Sequence, residues 1–172
     1  MSRINSLTSL SSLALALALA GCGFKPMYGA LQDDACLSQL RQIKVDVIAN
    51  RPGQVLRNYL IDTMTADSSP SNKYLLKVSL TEHRNKLGLR RDETSSFEEL
   101  VITGTLKLEN IETGKTEFTD TVSQVASFPL GSNSRSESYS ADVAEEGARD
   151  KALKIMADDI NIHLASYLLS KK

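Results

Sequence analysis

Cys22 is the residue whose neighbours most clearly define a chemical role. It ends the tetrapeptide 19–22 (Leu-Ala-Gly-Cys), which closes an apolar run, and Arg3 is the only basic residue before it. The run has about half of the roughly 20 residues that a membrane-spanning helix needs. Such an N-terminus is typical of a secretory signal, whose removal would leave the nucleophilic Cys22 thiol on the first mature residue. The alternative is a buried Ala/Leu helix followed by a structural cysteine.

The tetrapeptide resembles the lipobox of bacterial lipoprotein signals. This resemblance implies that residues 1–21 are cleaved, that the Cys22 sulfur carries a diacylglycerol in thioether linkage, and that its amine is acylated. In lipoproteins of this kind an aspartate after the cysteine favours retention in the inner membrane, whereas Gly23 is consistent with export to the outer membrane. Several acyl chains hold a protein at a membrane far more firmly than one chain does.

Cys36 is then the only other cysteine in the chain. If Cys22 is alkylated it cannot form a disulfide, so Cys36 is either a shielded free thiol or the site of an intermolecular bridge.

A second group of residues with chemical potential lies between the second and third predicted strands. Five residues that carry or can carry positive charge fall within nine positions: His83, Arg84, Lys86, Arg90 and Arg91. Arginine can bind phosphate through two parallel hydrogen bonds, so this cluster suits a phosphorylated anionic glycolipid. The alternative is a self-neutralised hairpin, because four acidic residues follow at once: Asp92, Glu93, Glu98 and Glu99.

The sequence gives no sign of catalysis, of a cofactor or of a metal site. His83 and His163 are the only histidines and lie far apart, without the spacing of metal ligands. There is no G-x-S-x-G elbow, P-loop or Rossmann fingerprint. Lys and Arg number 20 against 21 Asp and Glu, which disfavours a nucleic-acid partner. We expect a protein that is not an enzyme.

Apolar periodicity in the first half of the mature chain predicts a strand and a helix. Residues 43–48 alternate as one strand, with Val47 in the buried phase. A helix start follows at Asn50 or Arg51, and an apolar stripe runs along 54–65.

The second half predicts three strands and one long helix. From Lys73 the period is 2, and a hairpin turn is expected at residues 112–115 with glycine in a position that favours positive φ. Val125 is out of phase within the strand 117–128, which predicts a bulge there. We expect a mobile polar loop at 132–140 and a helix over 141–169.

These elements predict an α+β fold. The expected architecture is a two-layer sandwich in which a four-stranded, mostly antiparallel sheet carries two helices on one face. Residues 22–41 would be the lipidated N-terminus and tether, and 42–172 a single domain. The opposite sheet face would be exposed to water or to a partner through Lys77, Ser79, Thr81, Thr103, Thr105 and Lys107.

The lipobox, the following segment 23–29 (Gly-Phe-Lys-Pro-Met-Tyr-Gly) and this element order resemble the LPS-assembly lipoprotein family in its alphaproteobacterial form. The resemblance implies a subunit of the outer-membrane lipopolysaccharide translocon. Such a subunit is seated as a plug inside a large β-barrel partner, faces the periplasm and the barrel lumen, and supports barrel assembly and lipopolysaccharide insertion into the outer leaflet. Lipopolysaccharide binding would then fall to Arg84, Lys86, Arg90 and Arg91.

Two other functions stay open from the sequence. One is a periplasmic carrier lipoprotein for lipid or lipoproteins, which would need an apolar cavity. The other is a small periplasmic hydrolase, which the missing catalytic motifs disfavour.

Overall fold

The computed structural model describes four stretches of the chain, and within them the side chains of residues 86–87 and 135–140 are not described. The stretches are 38–64, 72–87, 97–129 and 135–171. Residues 38–41, the end of the predicted tether, are described, and Leu40 is buried in the core. Residues 1–37, with the predicted signal peptide, Cys22 and Cys36, lie outside the described stretches, as do Arg90 and Arg91. The predictions made for these residues therefore stay predictions.

The described elements alternate as strand, helix, three strands and helix, which is the order that the sequence predicts. They are β1 (Ile43–Val45), α1 (Asn50–Met64), β2 (Tyr74–Leu87), β3 (Phe97–Asn110), β4 (Thr116–Pro129) and α2 (Arg135–Ser170).

The four strands form one sheet in the order β1-β2-β3-β4. β1 pairs with β2 in parallel, as a strand–helix–strand crossover requires, and β2, β3 and β4 form an antiparallel meander. Both helices pack on one face, which confirms the predicted α+β sandwich.

Strand β1 is shorter than predicted, and Val47 is not in the core. The strand ends at Val45, and the Asp46 carboxylate accepts a hydrogen bond from the Val47 backbone N–H, which turns the chain out of the sheet. Val47 is therefore 81% exposed and Ile48 is buried in its place. Gly53 of α1 lies against Ile48, where an added Cβ would come within 2.6 Å of the Ile48 side chain.

The period-2 alternation of β2 and β3 places one apolar face against the helices, as predicted. In β3 five buried residues form the centre of this face, and the polar residues Glu98 and Asn110 are buried at its two ends. The five are Leu100, Ile102, Gly104, Leu106 and Leu108. An alternating strand with one buried face is what this pattern specifies, because successive side chains point to opposite sides of the sheet.

β4 contains a bulge, as predicted for the strand 117–128, but the bulge does not lie at Val125. Val125 lies in regular register opposite Val101 and is 58% exposed on the open face of the sheet. The register shift falls instead between Leu108 and Glu109, where β4 carries the extra residue Glu117. Val125 breaks the apolar alternation because it faces solvent. The bulge lies at Glu117, a charged residue that the pattern of apolar residues cannot identify.

Helix α2 begins earlier than predicted. It starts at Arg135, so residues 135–140, expected to be loop, belong to its first turns. Its buried face includes the predicted stripe residues Leu153, Met156, Ile160 and Leu164. No helix among the described residues is long and apolar enough to cross a membrane.

The sheet face away from the helices is open, as predicted. Hydroxyl-bearing residues predominate along it, and Thr103 and Ser123 lie within 3.3 Å of each other through their side-chain oxygens. Lys77 is paired on this face with Glu109 at 2.7 Å.

Candidate functional site

The molecule has two ends, which we call proximal and distal. The proximal end holds the first described residues and the start of β2 at Tyr74. The distal end holds the end of β2 at Leu87 and the beginning of β3 at Phe97, and it is where the predicted basic cluster begins. Contacts of α2 run from β2 at the distal end to β4 at the proximal end, so this helix links the two.

Arg84 lies at the distal end in a network of four charged side chains, which we call the distal network. Arg84 binds the Glu145 carboxylate of α2 at 2.5 Å. The same carboxylate accepts a hydrogen bond from Arg149, which also reaches Glu82 of β2 at 3.2 Å. Two acids and two bases thus compensate one another between the sheet and the helix.

Burial and charge act against each other on Arg149. Its partial burial alone would lower the pKa, but the hydrogen bond and charge of Glu145 and the charge of Glu82 outweigh this, so the pKa of Arg149 is raised above its ordinary value. The Arg84 side chain is 52% exposed, which leaves part of its guanidinium open to an anion.

The structure brings together only part of the predicted basic cluster. Arg84 and Lys86 share one face of β2, because they are two residues apart. Lys86 is in register with Glu98, a residue that is only 7% exposed. The partner found for Arg84 is Glu145 on α2, which hairpin reasoning could not identify because it lies 61 residues away.

A groove of about 550 Å³ opens beside the distal network, between α1 and α2. Its apolar surface comes from Pro52 and Val55 of α1 and Leu153 of α2. Arg51 and Glu146 form an ion pair of 2.9 Å across its rim, and both side chains are largely exposed. The sequence did not predict this groove, because its walls meet only when the two helices pack.

Glu117 organises a polar cluster at the proximal end. The bulge directs its carboxylate towards α2, where it accepts hydrogen bonds from Asn110 at 2.9 Å, from the Tyr167 hydroxyl at 3.3 Å and from Lys171. The hydrogen bond from Lys171 is the main cause that lowers the pKa of Glu117, and the same contact raises the pKa of Lys171 to about 12.

This proximal cluster holds the end of α2 against the sheet. Lys171 also lies 5.6 Å from the centre of the Tyr74 ring, which adds a cation–π contact. Phe118 stacks on Tyr167 with 4.8 Å between ring centres. The cation that follows the C-terminus of α2 is Lys171, and its partner is the Glu117 carboxylate of β4.

His163 of α2 forms a hydrogen bond of 2.5 Å with the Asp120 carboxylate of β4 through Nδ1. This contact is the main cause that lowers the pKa of Asp120. Among the residues that the structure describes, no group of His, Cys, Asp and Glu side chains is arranged to hold a metal ion.

Comparison with known proteins identifies solved structures of similar fold. No protein-family model matches the chain, and no curated protein matches it. Solved structures do match it. A Caulobacter crescentus CB15 protein assigned as a lipoprotein has 23% identity and a TM-score of 0.62, and covers 80% of this chain and 98% of its own.

Two further structures are similar. A minor lipoprotein from Acinetobacter baumannii has 18% identity and a TM-score of 0.56, over 72% of this chain and 90% of its own. Rare lipoprotein B from Shewanella oneidensis has 11% identity and a TM-score of 0.56, over 74% and 96%. At these identities the likeness establishes the fold, and the chain spans nearly the whole of each of these structures.

Proposed function

We propose that this chain is an outer-membrane lipoprotein, anchored through Cys22, that acts as the plug and assembly subunit of the lipopolysaccharide translocon. The observation that carries the proposal is the coincidence of a lipobox with a fold that lipoproteins of known structure share. The translocon role itself comes from the resemblance of the lipobox, the 23–29 segment and the element order to the LPS-assembly lipoprotein family.

The dimensions of the domain support a plug. Strand β2 has 14 residues, which extend over about 46 Å. Helix α2 has 36 residues and a length of about 54 Å. The hydrocarbon core of a bilayer is about 30 Å thick, so a domain held at its proximal end in one leaflet is long enough for its distal end to reach the level of the other.

The tether fits this orientation. Residues 23–37 separate Cys22 from the first described residue, and fully extended they reach at most about 55 Å. The described chain begins at Ser38 at the proximal end, so the tether connects Cys22 to that end, and Arg84 lies towards the opposite end of the sheet. In the proposed complex this end meets the phosphorylated headgroups in the outer leaflet.

Extraction of the membrane in mild detergent, followed by capture through a tag on the C-terminus, tests the plug. We expect a large β-barrel protein to co-purify in equal stoichiometry. Absence of a barrel partner, together with co-purifying lipid, would instead support the periplasmic carrier, for which the groove between α1 and α2 is a candidate cavity. Cys22→Ser should abolish lipid labelling and release the protein from the membrane.

Titration of the purified lipoprotein with lipopolysaccharide tests the headgroup site. The combined substitution of Arg84, Lys86, Arg90 and Arg91 with alanine should weaken binding, because a charge-assisted hydrogen bond contributes about 1.5–3 kcal/mol. Alanine at Lys77 and Lys107 removes two positive charges from the open sheet face and serves as the control. Unchanged affinity of the fourfold variant at low salt would exclude the site.

A further inference from the structure

The groove between α1 and α2 runs from the distal network towards the proximal end. Its α2 wall lies within residues 146–153, directly after Glu145, and extends about 10 Å along the helix. Glu82 of β2 also lines the groove and shares one face of the strand with Arg84, two residues further on. The groove therefore begins beside the Arg84 guanidinium and leads away from it along the helix layer.

Each of the five charged side chains that line the groove already has a partner within the chain. The ion pairs are Arg51 with Glu146 at 2.9 Å and Arg149 with Glu82 at 3.2 Å. Asp150 accepts a hydrogen bond from the Tyr59 hydroxyl at 3.0 Å. A peptide or a polar small molecule is recognised through free charged or hydrogen-bonding groups. A hydrocarbon needs none, because it binds through the burial of apolar surface.

Gly147 lines the groove in the interior of the 36-residue helix α2. Glycine is the least favourable residue in a helix interior apart from proline, and a close contact often explains it there. No described atom, however, lies within 4 Å of a Cβ added at Gly147, so packing within the described part of the chain does not require glycine. The missing side chain instead leaves room for an occupant beside the apolar surface of Pro52, Val55 and Leu153.

We propose that this groove binds an acyl chain of the phosphorylated glycolipid whose headgroup meets Arg84. The acyl site rests on the proposed function, which places Arg84 at the level of the outer-leaflet headgroups. From there the acyl chains of a lipid run towards the centre of the bilayer, and the groove leads from Arg84 towards the proximal end in the same direction. Its volume of about 550 Å³ lies within the range of about 300–1,000 Å³ that is typical of small-molecule sites.

Titration with intact and with fully deacylated lipopolysaccharide separates the acyl site from the headgroup site. The full lipidated chain is purified and titrated with each ligand at one fixed detergent concentration. Deacylation removes the hydrocarbon and keeps the phosphates and sugars. We expect the wild-type chain to bind the intact lipid at least about tenfold more tightly, because the burial of two methylene groups accounts for a difference of this size. Equal affinities for the two ligands would overturn the proposal.

Gly147→Leu fills the groove, and Gly147→Ala is its matched control. Both variants replace the same helical glycine, so both should keep or raise the midpoint of thermal unfolding. The larger leucine side chain should lower the affinity for the intact lipid about tenfold and leave the affinity for the deacylated ligand unchanged. Alanine should change either affinity by less than about twofold. Equal affinity of the two variants for the intact lipid would reject the acyl site.

Val55→Phe fills the groove from the α1 wall and keeps the test valid if Gly147→Leu does not fold. It should likewise weaken binding of the intact lipid alone. Phospholipid that co-purifies with the wild type but not with Gly147→Leu, together with equal wild-type affinities for the two ligands, would assign the groove to phospholipid and reject the proposal.

The fourfold alanine variant of the basic cluster distinguishes failure of the acyl site from failure of the headgroup site. It should weaken binding of both ligands, because both carry phosphates. If it does so while Gly147→Leu and Val55→Phe bind like the wild type, the acyl site is wrong and the headgroup site stands. If the fourfold variant binds both ligands like the wild type, the headgroup site fails, and the proposed acyl site fails with it.

Discussion

Asn110 is the side chain on which the β3–β4 turn and the proximal cluster jointly depend. Its Oδ1 accepts hydrogen bonds from the backbone N–H groups of Glu112 at 3.0 Å and Thr113 at 3.2 Å. Its Nδ2 donates to Glu117 at 2.9 Å, and the residue is only 7% exposed. We therefore predict that Asn110→Ala lowers the free energy of unfolding substantially.

The magnitude follows from the three contacts. The bond to the Glu117 carboxylate is charge-assisted and is worth about 1.5–3 kcal/mol. The two backbone N–H groups belong to exposed turn residues, which water can satisfy, so their loss adds little. We expect Asn110→Ala to lower the free energy of unfolding by about 2–3 kcal/mol in urea denaturation of the full chain, with an unchanged m-value.

Asn110→Asp distinguishes the donor from the acceptor. It keeps an oxygen for the two turn N–H groups, but it replaces the donor to Glu117 with a carboxylate. At pH 7 this variant should be less stable than Asn110→Ala, because two carboxylates then face each other at a buried position. Protonation of the introduced carboxyl restores a donor, so its stability relative to Asn110→Ala should recover as the pH falls below about 5. Wild-type stability of Asn110→Asp at pH 7 would refute the reasoning.

Three further predictions concern packing, a buried amide and acid stability. Gly104→Val should lower the free energy of unfolding by about 1–3 kcal/mol, because a Cβ added at Gly104 would lie 3.2 Å from a methionine sulfur of α2. Gly147→Ala is the control: a Cβ added at Gly147 meets no atom within 4 Å, so this change should be neutral or stabilising. Asn161→Leu should change the midpoint of thermal unfolding little, because it loses the hydrogen bond from Asn161 Nδ2 to Thr63 Oγ1 but no longer buries Asn161 Oδ1, which no described group bonds. The pKa of Asp120 is lower in the folded state than its ordinary value of 3.8, so the ionised carboxylate stabilises the fold above about pH 3.8. This stabilisation is lost as the pH falls through the folded-state pKa. Asp120→Asn should therefore lose less stability towards urea than the wild type does between about pH 4 and pH 2.

The sequence predicts most of the fold because its apolar periods are unambiguous. The alternation through β2 and β3 fixes both the strands and their buried face, and Gly114, at φ 65°, marks the turn that follows. The parallel pairing of β1 with β2 was left open, because periodicity identifies a strand without identifying its neighbour. The errors at Val47 and Val125 have one cause, since both are apolar residues that the fold leaves in solvent.

The candidate site was less predictable, because its contacts join residues far apart in the chain. Arg84 and Glu145 are 61 positions apart, and Arg51 and Glu146 are 95 apart. From the sequence, only acidic residues close to Arg84 along the chain can be predicted as its partners. In the folded domain its partner is Glu145, which lies on the helix layer. The lipidation signal predicted at Cys22 is the opposite case, since all of its residues are consecutive and the prediction does not depend on the fold.

The distal network makes a prediction that depends on the proposed headgroup site. Glu145 compensates Arg84, so an anionic headgroup must compete with this carboxylate for the guanidinium. Glu145→Gln removes the competing charge and keeps an oxygen that can accept from Arg149. We expect it to strengthen lipopolysaccharide binding about two- to fivefold, the equivalent of up to about 1 kcal/mol for a partly exposed ion pair.

Glu146→Gln is the control for this effect. Glu146 is the next residue of α2, and its exposed pair with Arg51 lies at the rim of the groove and not at Arg84. Both variants change the net charge by the same amount, so a general electrostatic effect would strengthen binding equally in the two. A gain confined to Glu145→Gln would show that Arg84 itself contacts the headgroup. An equal increase in affinity in both variants would mean that the distal end attracts the lipid only through its overall charge. Unchanged affinity in both would mean that Arg84 does not contact the headgroup.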